Sequence, residues 1–199
     1  LNATLARQYD GTTTAAGSDL SSFDALQGGE TLTMTGSGTA ASANVANGIA
    51  MSSNGTLALA DGTGSASNYS LNSTVINIAQ RVLNSSGSKT YDANTDALAA
   101  AITLSNLVSG EALNHSGTAT ISSANAGSYT ITNLAGITIA DGSGGLASNY
   151  TLTGGTHQLT INQRPLAATI ARQYDGTKTA AGSDLSSFDA LQGGETLTL

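Results

Sequence analysis

LNATLARQYDGTTTAAGSDLSSFDALQGGETLTM, residues 1–34, returns as LAATIARQYDGTKTAAGSDLSSFDALQGGETLTL at residues 166–199. Four positions differ: Asn2/Ala167, Leu5/Ile170, Thr13/Lys178 and Met34/Leu199. Such identity marks a tandem array, and self-similarity at a fixed period decides the architecture before any site is sought. A fainter echo lies halfway, because Tyr9-Asp10-Gly11, Tyr91-Asp92-Ala93 and Tyr174-Asp175-Gly176 stand 82 and 83 residues apart. Two further landmarks keep phase: LALADGTGSASNYSL (57–71) parallels ITIADGSGGLASNYTL (137–152), and INIAQR (76–81) parallels LTINQR (159–164). The array therefore alternates two related types, with unit A over 1–81, unit B over 82–165 and an incomplete second A over 166–199. A unit of about 80 residues can close around its own core, unlike the shorter repeats of solenoids. One full period plus an overlap suits an excerpt of a longer repetitive fibre.

The strands are legible from alternation. Thr31–Thr35, Leu57–Ala60, Val75–Ile78, Tyr129–Thr132, Ile137–Ala140 and Gln158–Ile161 are short β-branched or alternating runs bounded by Gly, Asn, Asp or Ser. One side of each faces inward and leaves Ser and Thr in water, the pattern of an antiparallel sheet with one solvated face. Ser18–Leu26 and Ala97–Leu107 carry weak helix signals, tempered by residues that also favour turns. Asp10-Gly11, Asp61-Gly62, Asp141-Gly142 and Asp175-Gly176 offer the positive φ of tight hairpins. The seams at 79–83 and 162–166 contain no Gly, and Pro165 stiffens the second. The expectation is an all-β chain of tandem small antiparallel β-sandwich-like domains, immunoglobulin-like or β-grasp-like with one short helix, as beads on a rigid rod.

Composition narrows the functional classes. There is no cysteine, so disulfide frameworks and thiolate chemistry are absent, and a formal charge of −7 repels a phosphate backbone and argues against nucleic acid. No run approaches the ~20 apolar residues of a membrane span, and no leader is visible, which carries no weight in an excerpt. The two histidines, His115 and His157, occur in unit B alone with no nucleophile motif beside them, so no catalytic residues are assigned and the chain is read as non-enzymatic. Seven Asn-x-Ser/Thr sequons, at Asn2, Asn54, Asn68, Asn72, Asn84, Asn114 and Asn149, are expected by chance in so Asn-, Ser- and Thr-rich a chain.

Arg-Gln-Tyr-Asp-Gly-Thr (7–12 and 172–177), Gly-Gly-Glu-Thr-Leu-Thr, Ser-Asn-Tyr-Ser/Thr-Leu (67–71 and 148–152) and a closing Ile-x-Gln-Arg together resemble the YDG and mostly-β glycine-rich repeats. Such repeats build the stalks of large bacterial surface adhesins of the filamentous-haemagglutinin, two-partner-secretion type. The resemblance spans nearly the whole chain, and unit B departs at the signature, reading Lys-Thr-Tyr-Asp-Ala-Asn (89–94). It implies an exported, extracellular, non-catalytic repeat region that serves attachment or biofilm cohesion, and it hands over no ligand site.

Two kinds of site are weighed against structural roles. Tyr9, Tyr91 and Tyr174 are candidate aromatic platforms for sugar rings, against the plainer reading in which each ring covers a domain joint and each Asp caps the following turn. Tyr69 and Tyr150 are expected in the core. Asp61 and Asp141 head candidate calcium loops, but one carboxylate per loop falls short of six to eight oxygens unless Asp10, Asp19, Asp24 or Glu30 converge; the alternative is an Asx turn, and no cofactor is assigned. The joint itself is assigned to Arg7, Tyr9, Asp10, Arg81, Tyr91, Asp92, Arg164, Pro165, Tyr174 and Asp175. The expected partners are neighbouring repeats of the same chain, with lateral self-association into filaments and weak multivalent polysaccharide binding as alternatives.

Overall fold

The structure, a computed structural model, describes residues 1–189 and 191–197. It is all-β, and its described helices are single 3-10 turns. The first repeat contributes β1 (Asn2–Gln8), β2 (Thr14–Ala16), β3 (Leu20–Phe23), β4 (Leu32–Thr35), β5 (Ser37–Ala40), β6 (Ala46–Ser53), β7 (Ala58–Asp61) and β8 (Ser73–Ala79). Six of these form a sheet in the order β2-β5-β6-β8-β1-β3, while β4 and β7 pair separately. After β9 (Arg81–Val82), the second repeat supplies β10 (Asn84–Thr90), β11 (Asp96–Leu98), β12 (Ile102–Ser105), β13 (Leu113–Thr120), β14 (Gly127–Thr130), β15 (Ile137–Asp141), β16 (Tyr150–Thr151) and β17 (His157–Asn162). The third repeat begins with β18 (Ala168–Ile170) and β19 (Leu185–Phe188).

The same pairings recur with the sequence period. β1 runs parallel to β8 as β10 does to β17, β8 takes β6 antiparallel as β17 takes β14, and β2/β5 is matched by β11/β13. Even the irregularity in β1/β3, between Thr4 and Leu5, returns in β18/β19 between Thr169 and Ile170. The expected strands form, except that of Tyr129–Thr132 only Tyr129 and Thr130 lie in a strand, β14. The sheets are not purely antiparallel, however, since the first and last long strands of each of the first two repeats, β1 with β8 and β10 with β17, lie side by side and point the same way. Alternation reports which face of a strand is buried and carries no direction.

Two further expectations are corrected. Ser18–Leu26 and Ala97–Leu107 hold one 3-10 turn each, Gly17–Asp19 and Ala99–Ala101, followed at once by β3 and β12. Pairing of β3 with β1 draws that stretch into the sheet and overrides a weak local preference. Of the Asp-Gly turns, Gly11 (φ 78°) and Gly176 (φ 75°) have the positive φ expected, yet β1 pairs with β8 and β3, so the turn at Gly11 closes no hairpin. Gly62 and Gly142 are needed for space instead: a Cβ there would lie 2.2 Å from the Thr31 carbonyl oxygen and 2.4 Å from that of Ala112.

Compact units do not coincide with sequence repeats. One comprises residues 1–84, 104–114 and 139–155; the other comprises 85–103, 115–138 and 156–199. The core of the first is Leu5, Ile76, Ile78 and Leu83 with Tyr9 and Tyr150, ringed by Phe23, Met51, Val108 and Leu152. β8 buries Thr74, Ile76 and Ile78 on one side and β1 buries Ala3 and Leu5. The second unit buries Ala97, Ile102, Ile131, Leu159 and Ile161.

Candidate functional site

The most organised polar cluster is a clasp around Glu111 in the first compact unit. β1 ends at Gln8 and delivers Tyr9, whose ring is 5% exposed and meets Tyr150 edge-on with centroids 5.4 Å apart at 79°. Both hydroxyls donate to one carboxylate, Tyr9 to Glu111 Oε1 at 2.6 Å and Tyr150 to Oε2 at 2.7 Å, and the Val108 N–H donates to the Tyr150 oxygen at 3.0 Å. Burial first, and then the Glu111 carboxylate, push the Tyr9 hydroxyl up to about 12. Tyr150 is raised for the same two reasons, against the Val108 N–H.

Residues of the seam close the clasp. The Arg81 guanidinium donates to the Asn106 carbonyl at 2.6 Å, to Asn106 Oδ1 at 2.8 Å and to the Tyr9 carbonyl at 3.4 Å, and Asn106 returns a bond to the Val82 carbonyl at 2.7 Å. Gln80 Nε2 donates to the carbonyls of Ser148 and Tyr150, beside the short parallel pairing of β9 with β16. Asn149, 1% exposed, accepts from the Val45 N–H and donates to Asn44 Oδ1, both at 3.0 Å. The cluster thus joins the first repeat to two segments of the second that carry its Gly-Glu and Ser-Asn-Tyr motifs.

Fragments of this arrangement recur. In the first repeat the Tyr69 hydroxyl donates to Glu30, and in the second compact unit Tyr91 donates to Glu195. Those carboxylates raise both tyrosines. Tyr174 is 96% exposed. The three candidate platforms therefore have three fates: Tyr9 is packed, Tyr91 is half-buried on a carboxylate, and only Tyr174 presents its ring to solvent. Of the two tyrosines expected in the core, Tyr150 is buried and Tyr69 half-buried.

The acidic partner of each Tyr-Asp motif turns back on its own strand. Arg7 pairs with Asp10, Lys89 with Asp92 at 2.9 Å, and Arg172 with Asp175 at 2.6 Å. Burial works against ionising Asp10, but the Thr12 N–H and the Arg7 guanidinium outweigh it and hold the carboxyl below its usual range. Asp175 is lowered chiefly by the Thr177 N–H. Pro165 is exposed and Arg164 half-buried. In the candidate calcium loops, Asp61 Oδ1 accepts from the Ala66 N–H and Asp141 Oδ1 from the Ala147 N–H, each at 2.7 Å, so both carboxylates cap a 3-10 turn. Among the described residues, no three acidic or histidine side chains gather as a metal site. His157 Nδ1 lies 2.9 Å from Ser85 Oγ inside the second unit, and His115 Nε2 faces the carbonyls of Ala99 and Ile102.

Glu111, Asn106, Gln80 and Asn149 are the site residues that sequence reasoning missed. A signal existed for one of them: Glu30, Glu111 and Glu195 keep the array's period inside the Gly-Glu motif, in phase with the tyrosines they bond.

The YDG domain matches residues 2–76 and again 79–158, one match in each of the first two repeats. The chain belongs to the YDG domain family. In this YDG protein the signature tyrosine of one repeat is thus the ring that receives the Ser-Asn-Tyr strand of the next. Comparison with curated proteins and with solved structures finds no match.

Proposed function

We propose that these YDG repeats, of the mostly-β glycine-rich kind, are stalk segments of an extracellular bacterial adhesin or surface fibre, giving it length and rigidity for attachment or biofilm cohesion. The observation that carries the reading is the clasp at Glu111. A chain whose successive repeats share buried tyrosines, a guanidinium fork and a common core is tied at its joints, where a flexible tether would be Gly- and Ser-rich and exposed. Near-identity of the two A segments supports reach as the adjustable property, since copies add length without new chemistry. On this reading the chain is non-enzymatic, lies outside the cell, uses no cofactor, and has its neighbouring repeats as its main partners.

The test is to build arrays of one, two and three A-B periods and measure their maximum dimension by small-angle scattering. The stalk reading expects a constant increment per period. Growth with the square root of repeat number, the signature of flexible joints, overturns it.

A further inference from the structure

Where the Tyr-Asp turn of one repeat meets the Gly-Glu loop of the next, the two seam types differ by a methyl group that changes sides. In the first compact unit Gly11 (φ 78°) lies against Val108, and a Cβ on Gly11 would stand 2.9 Å from Val108 Cγ1 and 3.8 Å from Val108 Cβ. Val108 is held in place: its N–H donates to the Tyr150 hydroxyl oxygen, its side chain packs on the core, and a β-branched side chain is stiff at χ1. The equivalent of Gly11 in the second repeat is Ala93, which keeps the left-handed turn at φ 61°. A positive φ alone therefore does not demand glycine at this position, and the valine opposite does. In the second compact unit the Ala93 methyl faces Gly193, where a Cβ would come within 3.2 Å of it. Counted back from Glu111 and Glu195, Gln192 stands for Val108 and Gly193 for Ser109. Glycine in the turn thus goes with Val-Ser in the loop, and alanine in the turn with Gln-Gly. A second difference lies in Asn106, which accepts from the Arg81 guanidinium at 2.8 Å and donates to the Val82 carbonyl at 2.7 Å; the A-type loop has Ala25 there.

We infer that these residues make each seam select the type of its next neighbour: an A-type turn prefers a B-type loop, and a B-type turn excludes another B. A B loop on a B turn would bring Val108 onto the Ala93 methyl, at the 2.9 Å approach that Gly11 avoids, and would put the Ser109 side chain where the alanine now faces glycine. An A loop on an A turn would bring Gln27 and Ala25 in place of Val108 and Asn106, leaving the hollow at Gly11 without its valine and the Arg81 fork without its side-chain acceptor. Specificity is a difference between alternatives, and here it has both a repulsive element and an attractive one. Together they favour strict alternation, the A-B-A order of this sequence.

Double-variant cycles in the full 199-residue chain, read as melting temperatures, test this. Gly11→Ala sets a B-type turn against a B-type loop at the first seam and should lower the melting temperature by about 3 °C or more. The strain of alanine at positive φ is the same in every background, so the cycle isolates the clash. In a Val108→Ala chain, whose remaining Cβ would leave 3.8 Å, Gly11→Ala should cost at most about half as much. If Gly11→Ala alone does not fold, a folded double variant is the expected result and an unfolded one overturns the exclusion. Asn106→Gly, which suits the left-handed φ of 68° and removes the side-chain acceptor, should cost less in an Arg81→Ala chain than in the parent. Additive losses in the first cycle overturn the exclusion, and in the second the preference. Neither cycle depends on whether arrays lengthen by a constant increment, which tests the stalk separately.

Discussion

Glu111 holds two tyrosine hydroxyls, and its chemistry sets what single substitutions do. Glu111→Ala leaves both hydroxyls without their acceptor in a buried setting, each at about 1–3 kcal/mol, so chemical denaturation should show a loss of about 2–6 kcal/mol. The pH dependence follows from Tyr9. Its folded pKa is raised to about 12 from the ordinary tyrosine value of 10.0, so the folded state holds the proton more tightly than the unfolded chain does. That contribution is complete below pH ~10 and disappears as pH climbs towards 12, because ionised tyrosinate must leave a site facing a carboxylate. Thermal melts from pH 8 to 12 should therefore fall steeply above ~10, and Tyr9→Phe should flatten that limb at the expense of stability at neutral pH.

Among the elements, the 3-10 turns and the glycines opposite them repeat most faithfully. Asp61 and Asp141 cap equivalent turns through Ala66 and Ala147, and Gly62 and Gly142 let each loop press against a backbone carbonyl. Asp61→Ala or Asp141→Ala should cost about 1 kcal/mol by urea unfolding, the usual value of a lost cap. Gly62→Ala or Gly142→Ala should cost more, about 2 kcal/mol or above, because the opposing atom is backbone and cannot step aside. With one carboxylate oxygen in each loop committed to a backbone N–H, millimolar calcium should leave the melting temperature where a chelator leaves it; a rise of several degrees would favour the metal reading.

For the whole molecule, the compact units cross the boundaries of the sequence repeats. The first compact unit draws residues 104–114 and 139–155 from the second repeat to cover Tyr9 and Leu83. A chain of residues 1–81 lacks that cover and should melt well below a chain of residues 1–158, although each begins with the same complete YDG match at 2–76. Differential scanning calorimetry of the two distinguishes this from self-sufficient repeats, which would melt alike.

How much could be read beforehand varies with the range of the interaction. The period, the all-β class and the strands from Leu32–Thr35 to His157–Asn162 follow from sequence, since alternation and turn residues act over a few neighbours. The role of Glu111 was hinted at only by its phase with Glu30 and Glu195. The parallel course of β1 beside β8, the extension of Leu20–Phe23 and the joining of Tyr9 to Tyr150 are decided between residues tens to more than a hundred positions apart. Sequence by itself determined that this is a periodic array of short half-buried strands. Only tertiary structure decided where one body ends and the next begins, because the side chains at the seam are satisfied across it, and a local pattern carries no record of which distant partner will remove them from water.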